Sequence, residues 1–95
     1  MLRREGEALI LEGAVTLDTV PALVEAAQEH WTQGAKVVDF GAVTGVDSAA
    51  VALALEWLRE AHRCNVALRF INLPASMRNL AELYGVSELL QSASA

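Results

Sequence analysis

The stretch that decides the fold is Val37-Val38-Asp39-Phe40-Gly41-Ala42-Val43-Thr44-Gly45-Val46-Asp47-Ser48. Its first part, residues 37–40, is mostly apolar and predicts a central strand, and residues 41–46 predict a loop. Asp47 and Ser48 are strong N-cap residues, so they predict the start of a helix that runs to about Arg63. A strand followed at once by a capped helix indicates an α/β protein.

The sequence on either side extends this strand-helix pattern. Before it, residues 8–13 predict a strand, and Asp18 or Thr19 offers an N-cap for a helix that ends near Gly34. After it, residues 65–71 predict a strand and residues 74–84 a helix. The order β-α-β-α-β-α, with an extra strand near residues 3–5, predicts a mainly parallel sheet with helices packed against it. We expect one domain over residues 1–95, with a frayed tail at 91–95.

Composition excludes several classes of protein. The 95 residues are 54% hydrophobic, which is enough for one packed core. The 7 Lys and Arg against 12 Asp and Glu give a net charge of −5, which argues against binding to nucleic acid. The longest apolar run, residues 49–55, is too short for direct membrane insertion. A single cysteine, Cys64, and the absence of a signal peptide predict a cytoplasmic location.

Catalytic and ligand-binding motifs are missing from the sequence. It contains neither a phosphate-binding P-loop nor a Gly-x-Gly-x-x-Gly pattern. His62 and Cys64 are too few ligands for a metal site. Ser48 and His62 would lie about 21 Å apart on one helix, at ~1.5 Å per residue, so they cannot act as a nucleophile and base. We therefore expect no enzymatic activity, no cofactor and no metal.

The helix that begins at Ser48 is apolar on every side in its first two turns. A helix on a sheet needs only one apolar stripe, so either a partner covers part of this surface or the whole helix start is buried within the domain. Trp57 has the same two interpretations, as an interface residue or as a core residue. The sequence leaves both questions open.

Four segments of the chain resemble STAS domains. The segment Gly13-Ala14-Val15-Thr16-Leu17-Asp18-Thr19-Val20-Pro21-Ala22-Leu23 is similar to their first strand-to-helix passage, and Val37-Val38-Asp39-Phe40 followed by Val46-Asp47-Ser48 is similar to their signature. Residues 71–74 and 80–86 resemble their closing strand and helix. The resemblance implies a small α/β domain with a mixed, mainly parallel sheet, which works by binding another protein.

Two branches of the STAS family compete as the closer resemblance. The small STAS subunit of Mla-type phospholipid ABC transporters, peripheral to the inner membrane, implies the transporter ATPase as partner. Anti-sigma-factor antagonists imply an anti-sigma factor kinase that phosphorylates Ser48. Alanines stand at 49 and 50 where both branches commonly have glycine, which disfavours the kinase more. The expected contact residues are Thr44, Gly45, Asp47, Ser48, Ala49, Leu53 and Trp57.

Overall fold

The computed structural model describes residues 1–92, and within them four strands form one mixed sheet. The strands are β1 (Leu2–Glu5), β2 (Ala8–Val15), β3 (Val37–Val46) and β4 (Arg69–Ile71), and they lie in that order across the sheet. β1 runs antiparallel to β2, whereas β2, β3 and β4 are parallel to one another. The α/β class and the mixed, mainly parallel sheet expected from the sequence are confirmed.

Helices cover one face of this sheet. They are α1 (Val20–Ala27), α2 (Ser48–Arg63), α3 (Ala75–Leu83) and α4 (Ser87–Ser92). The strand residues that contact them alternate with half-exposed ones, as the twofold repeat of a strand requires. The core-facing strand residues are Leu9, Leu11, Val15, Val38, Phe40 and Phe70.

Two aromatic pairs fill the core between sheet and helices. Phe40 and Phe70, on neighbouring parallel strands, meet edge to face with ring centroids 6.0 Å apart. Trp31 and Trp57 form a second such pair at 5.9 Å. Edge-to-face contacts of this kind add about 0.5–1.5 kcal/mol to the burial of the rings. The core therefore reaches from the centre of the sheet to the middle of α2.

The predicted loop at 41–46 was wrong, because β3 continues to Val46. Its second half pairs with the second half of β2, from Glu12↔Ala42 to Val15↔Val46, through two register irregularities. β4 is shorter than the predicted 65–71, since its pairing begins at Val37↔Arg69, where β3 itself begins. The preceding Asn65 has φ 60°, which turns the chain out of α2 before it can extend.

Helix boundaries agree better with the sequence. α2 begins and ends where predicted, and α3 lies within the predicted 74–84. α1 ends at Ala27 and continues as a short 3-10 helix, Gln28–Thr32. α4 extends through residues 91 and 92 of the tail expected to fray, and the rest of that tail, 93–95, lies outside the described residues.

Candidate functional site

Asp47 organises the start of α2. Its backbone is extended, and its Oδ1 accepts a hydrogen bond of 2.8 Å from the amide of Ala49. This bond satisfies one of the amide donors that every helix leaves free in its first turn. The N-cap role predicted for Asp47 is confirmed, so its carboxylate is a structural part of the site.

Ser48 follows as the first residue of α2, and its side chain is exposed. Thr44 and Gly45 are also exposed, near the end of β3, and Ala49 is half-buried beside them. β3 runs directly into α2, so these residues share the carboxyl edge of the parallel strands, where α/β proteins commonly bind their ligands. The structure therefore brings together five of the predicted contact residues, including Asp47.

Leu17 belongs to the same edge, and the sequence did not indicate it. The second carboxylate oxygen of Asp47, Oδ2, accepts a hydrogen bond of 3.0 Å from the amide of Leu17. This bond ties the turn between β2 and α1 to the start of α2. The Leu17 side chain is 74% exposed. Its sequence signal was weak, since a leucine between Thr16 and Asp18 is equally typical of a buried helix entry.

Leu53 and Trp57 are not surface residues, which corrects the prediction that they contact a partner. They are 1% and 0% exposed. α2 turns these side chains toward the core, where Trp57 packs edge to face on Trp31. Of the two interpretations left open for Trp57, the core position is the one observed. Both residues support the site from inside without reaching its surface.

The outer face of α2 carries its own apolar surface. Ala52 is exposed, and Leu55 and Leu58 are half-buried. Together with Glu56, Arg59 and Leu89 of α4 they line a groove of about 460 Å³. Most of the apolar surface at the start of α2 therefore faces the core, and one stripe of it faces this groove.

Comparison with known proteins identifies the fold family. A family model described as the Mlab STAS domain matches residues 1–91. The chain belongs to the STAS domain family. Among solved structures it is similar to the anti-sigma factor antagonist SpoIIAA in its unphosphorylated form, with 19% identity, 100% of this chain and 84% of that chain covered, and a TM-score of 0.71.

This STAS domain also resembles part of a larger structure. It is similar to Mglu with 22% identity and a TM-score of 0.58, covering 79% of this chain and 19% of that one. At such identities the likeness to solved structures concerns the fold. No curated protein sequence matches the chain at a significant level.

An acidic pair lies along α2 of this STAS domain. Glu60 is 8% exposed, and the indole Nε1 of Trp31 donates to its Oε1 at 3.3 Å. Burial, followed by the hydrogen bond with Glu56, raises the pKa of Glu60 above its usual 4.5. The hydrogen bond from Arg59 lowers the pKa of Glu56. The groove therefore carries a charged Glu56–Arg59 pair above a buried acid.

His62, which the sequence excluded as a base for Ser48, lies far along α2 from it. His62 is exposed in the last turn of α2, at the opposite end from Ser48. Residues 1–92 contain no group of three or more His, Cys, Asp or Glu side chains that could hold a metal ion. In that same part of the chain, none of the helices has the length and apolar character needed to cross a membrane.

Proposed function

We propose that this STAS domain is a non-catalytic accessory subunit that binds the ATPase of an Mla-type ABC transporter, which moves phospholipids for outer-membrane lipid asymmetry. The family description, Mlab, supports the transporter branch. The observation that carries the proposal is the exposed edge at Ser48, built on the extended backbone and side-chain hydrogen bonds of Asp47. Such a subunit works in the cytoplasm, peripheral to the inner membrane.

The chemistry of this edge suits a protein partner. Small side chains at Gly45, Ser48 and Ala49 let a second backbone approach closely, and the groove beside Ala52 and Leu55 offers apolar area for burial. Thr44 adds a hydroxyl at the rim. The net charge of −5 gives no attraction for phosphate, which favours a protein surface over a nucleic acid or an anionic membrane.

The proposal is tested by binding of the purified domain to the purified ATPase of the transporter, followed by calorimetry or biolayer interferometry. Ala52→Arg puts a long charged side chain on the exposed outer face of α2, and we expect it to lower the affinity at least tenfold. Ala26→Arg is the matched control, since Ala26 is also an exposed alanine, on α1. Melting temperatures of both variants should stay close to that of the parent.

Two further results bear on the proposal. Ser48→Ala should leave the fold intact, because the cap is supplied by Asp47, and should weaken binding. If Ala52→Arg and Ser48→Ala both bind the ATPase as the parent does, the contact is elsewhere and the proposed edge is refuted.

A second candidate function is an anti-sigma-factor antagonist or another phosphoswitch controlled at Ser48. The exposed hydroxyl at the first position of α2 is open to a kinase, and a phosphoryl group there would lie next to the Asp47 carboxylate and repel it. Incubation with an anti-sigma factor kinase and ATP, read by intact mass, tests this function. Transfer of a phosphoryl group that Ser48→Ala abolishes would favour it over the transporter role.

A further inference from the structure

The turn that carries Leu17 is rigidly built. The Thr19 hydroxyl accepts a hydrogen bond from the Thr16 amide at 2.9 Å and donates to the Ala14 carbonyl at 3.0 Å. The Thr19 and Val20 amides both donate to the Thr16 carbonyl. These bonds close the turn on itself around Leu17. The Thr19 hydroxyl therefore bonds within the turn and makes no side-chain cap for α1.

The turn is also fixed from outside, by Asp47. One carboxylate accepts from Leu17 in the turn and from Ala49 in α2, at 3.0 and 2.8 Å. Just before the turn, β2 slips in register against β3 between Gly13 and Ala14. Irregularities of this kind redirect the end of a strand and concentrate near functional sites. The result is a large apolar side chain that is exposed to solvent on a turn bonded to Asp47, the residue before Ser48.

Leu83 is an exposed leucine in another part of the fold. Leu83, 76% exposed, lies at the C-terminal end of α3. Isolated apolar side chains of this kind are common on protein surfaces and carry no functional meaning by themselves. Leu17 differs because its backbone amide donates to Asp47, a residue of the proposed contact edge. A turn whose backbone is ordered before binding loses less conformational entropy when a partner covers it.

We propose that Leu17 is an apolar contact residue for the ATPase and that Asp47 is the positioning residue that holds it beside Ser48. This inference rests on the proposed function. It implies that the ATPase has an apolar recess for Leu17, next to the surface that packs on Ser48 and Ala49. The two parts of the edge, loop and helix, then bind as one unit.

The test uses the purified ATPase as the binding probe and Leu17→Ser as the variant. Because the Leu17 side chain buries little surface in the free domain, the Leu17→Ser variant should melt at the same temperature as the parent. Its affinity for the ATPase should fall at least tenfold, equivalent to about 1.4 kcal/mol. Leu83→Ser is the matched control and should bind like the parent. Equal weakening by both serine variants would overturn the proposal, because it would show unspecific apolar adhesion.

A double-mutant cycle tests the positioning role of Asp47. Asparagine has one carbonyl oxygen, so Asp47→Asn keeps at most one of the two amide bonds. If Asp47 acts through Leu17, Asp47→Asn should weaken binding in the parent and cost no further affinity in the Leu17→Ser background. Additive losses would show that Asp47 does not act through Leu17, and would overturn that part of the proposal.

The outcomes separate this inference from the function it rests on. If Ala52→Arg loses binding while Leu17→Ser binds like the parent, Leu17 is not a contact and the proposed function stands. If the parent domain does not bind the ATPase, or if Ala52→Arg, Ser48→Ala and Leu17→Ser all bind like the parent, both the inference and the proposed edge are overturned.

Discussion

Removing the charge of Glu60 should stabilise the protein at neutral pH and progressively less toward acid. Burial raises the pKa of Glu60 in the folded state. Because its pKa is raised in the folded state, Glu60 stabilises the protein fully when the pH is below its unfolded-state pKa. This stabilisation is lost as the pH rises through its folded-state pKa. At pH 8 the folded chain therefore holds a carboxylate in a site that is only 8% exposed.

The change in the free energy of unfolding caused by Glu60→Gln follows from two opposing contributions. Desolvation of a buried carboxylate costs several kcal/mol, and the hydrogen bond from Trp31 to the charged group returns about 1.5–3 kcal/mol. In Glu60→Gln the amide oxygen keeps a neutral bond to the indole, worth about 1 kcal/mol. We expect a net gain of about 1 kcal/mol at pH 8, which raises the melting temperature by about 4–8 °C in a domain of this size.

The assay is urea unfolding from pH 8 downward to pH 5.5, stopping above the isoelectric point of about 4.8. Glu82→Gln on the exposed side of α3 is the control and should change little at any pH. A gain for Glu60→Gln that grows as the pH falls, or a loss of stability at pH 8, would show that the buried charge is not what destabilises the parent.

Two further predictions concern the supports of the candidate site. Asp47→Ala should destabilise by about 1–2 kcal/mol in urea unfolding, since it removes an N-cap and the bond to Leu17 together; a cost no larger than that of Ser48→Ala would contradict the double role. Trp57→Ala should cost about 3–5 kcal/mol, because the side chain is completely buried, and a cooperative transition close to that of the parent would place Trp57 outside the core.

The sequence predicted the local features of this fold well. Asp47 caps α2 through the amide of Ala49, two residues away, and helix ends depend on such short-range bonds. β3 was harder, because residues 41–46 extend only through pairing with β2. A glycine-containing segment without its partner strand is indistinguishable from a loop.

In the candidate site, too, the short-range features could be predicted and the long-range ones could not. Ser48 could be predicted, because Asp47-Ser48 marks the start of a helix and belongs to the segment that resembles the STAS signature. Leu17 could not, because its bond to Asp47 spans 30 positions in the chain. The direction in which Leu53 and Trp57 point was hidden for a related reason: a helix apolar on all sides gives no periodicity from which to choose the buried face.

The pairing of Trp31 with Trp57 decides what optical methods can observe in this protein. Both indoles lie in the core, where Trp31 donates to the Glu60 carboxylate and Trp57 is about two and a half helical turns along α2 from Ser48. Intrinsic tryptophan fluorescence will therefore follow unfolding with high contrast and remain almost silent when a partner covers the Ser48 edge. A dye attached to a cysteine at an exposed position near that edge but outside it, such as Ala42, would supply the missing signal, with the native Cys64 first replaced by alanine.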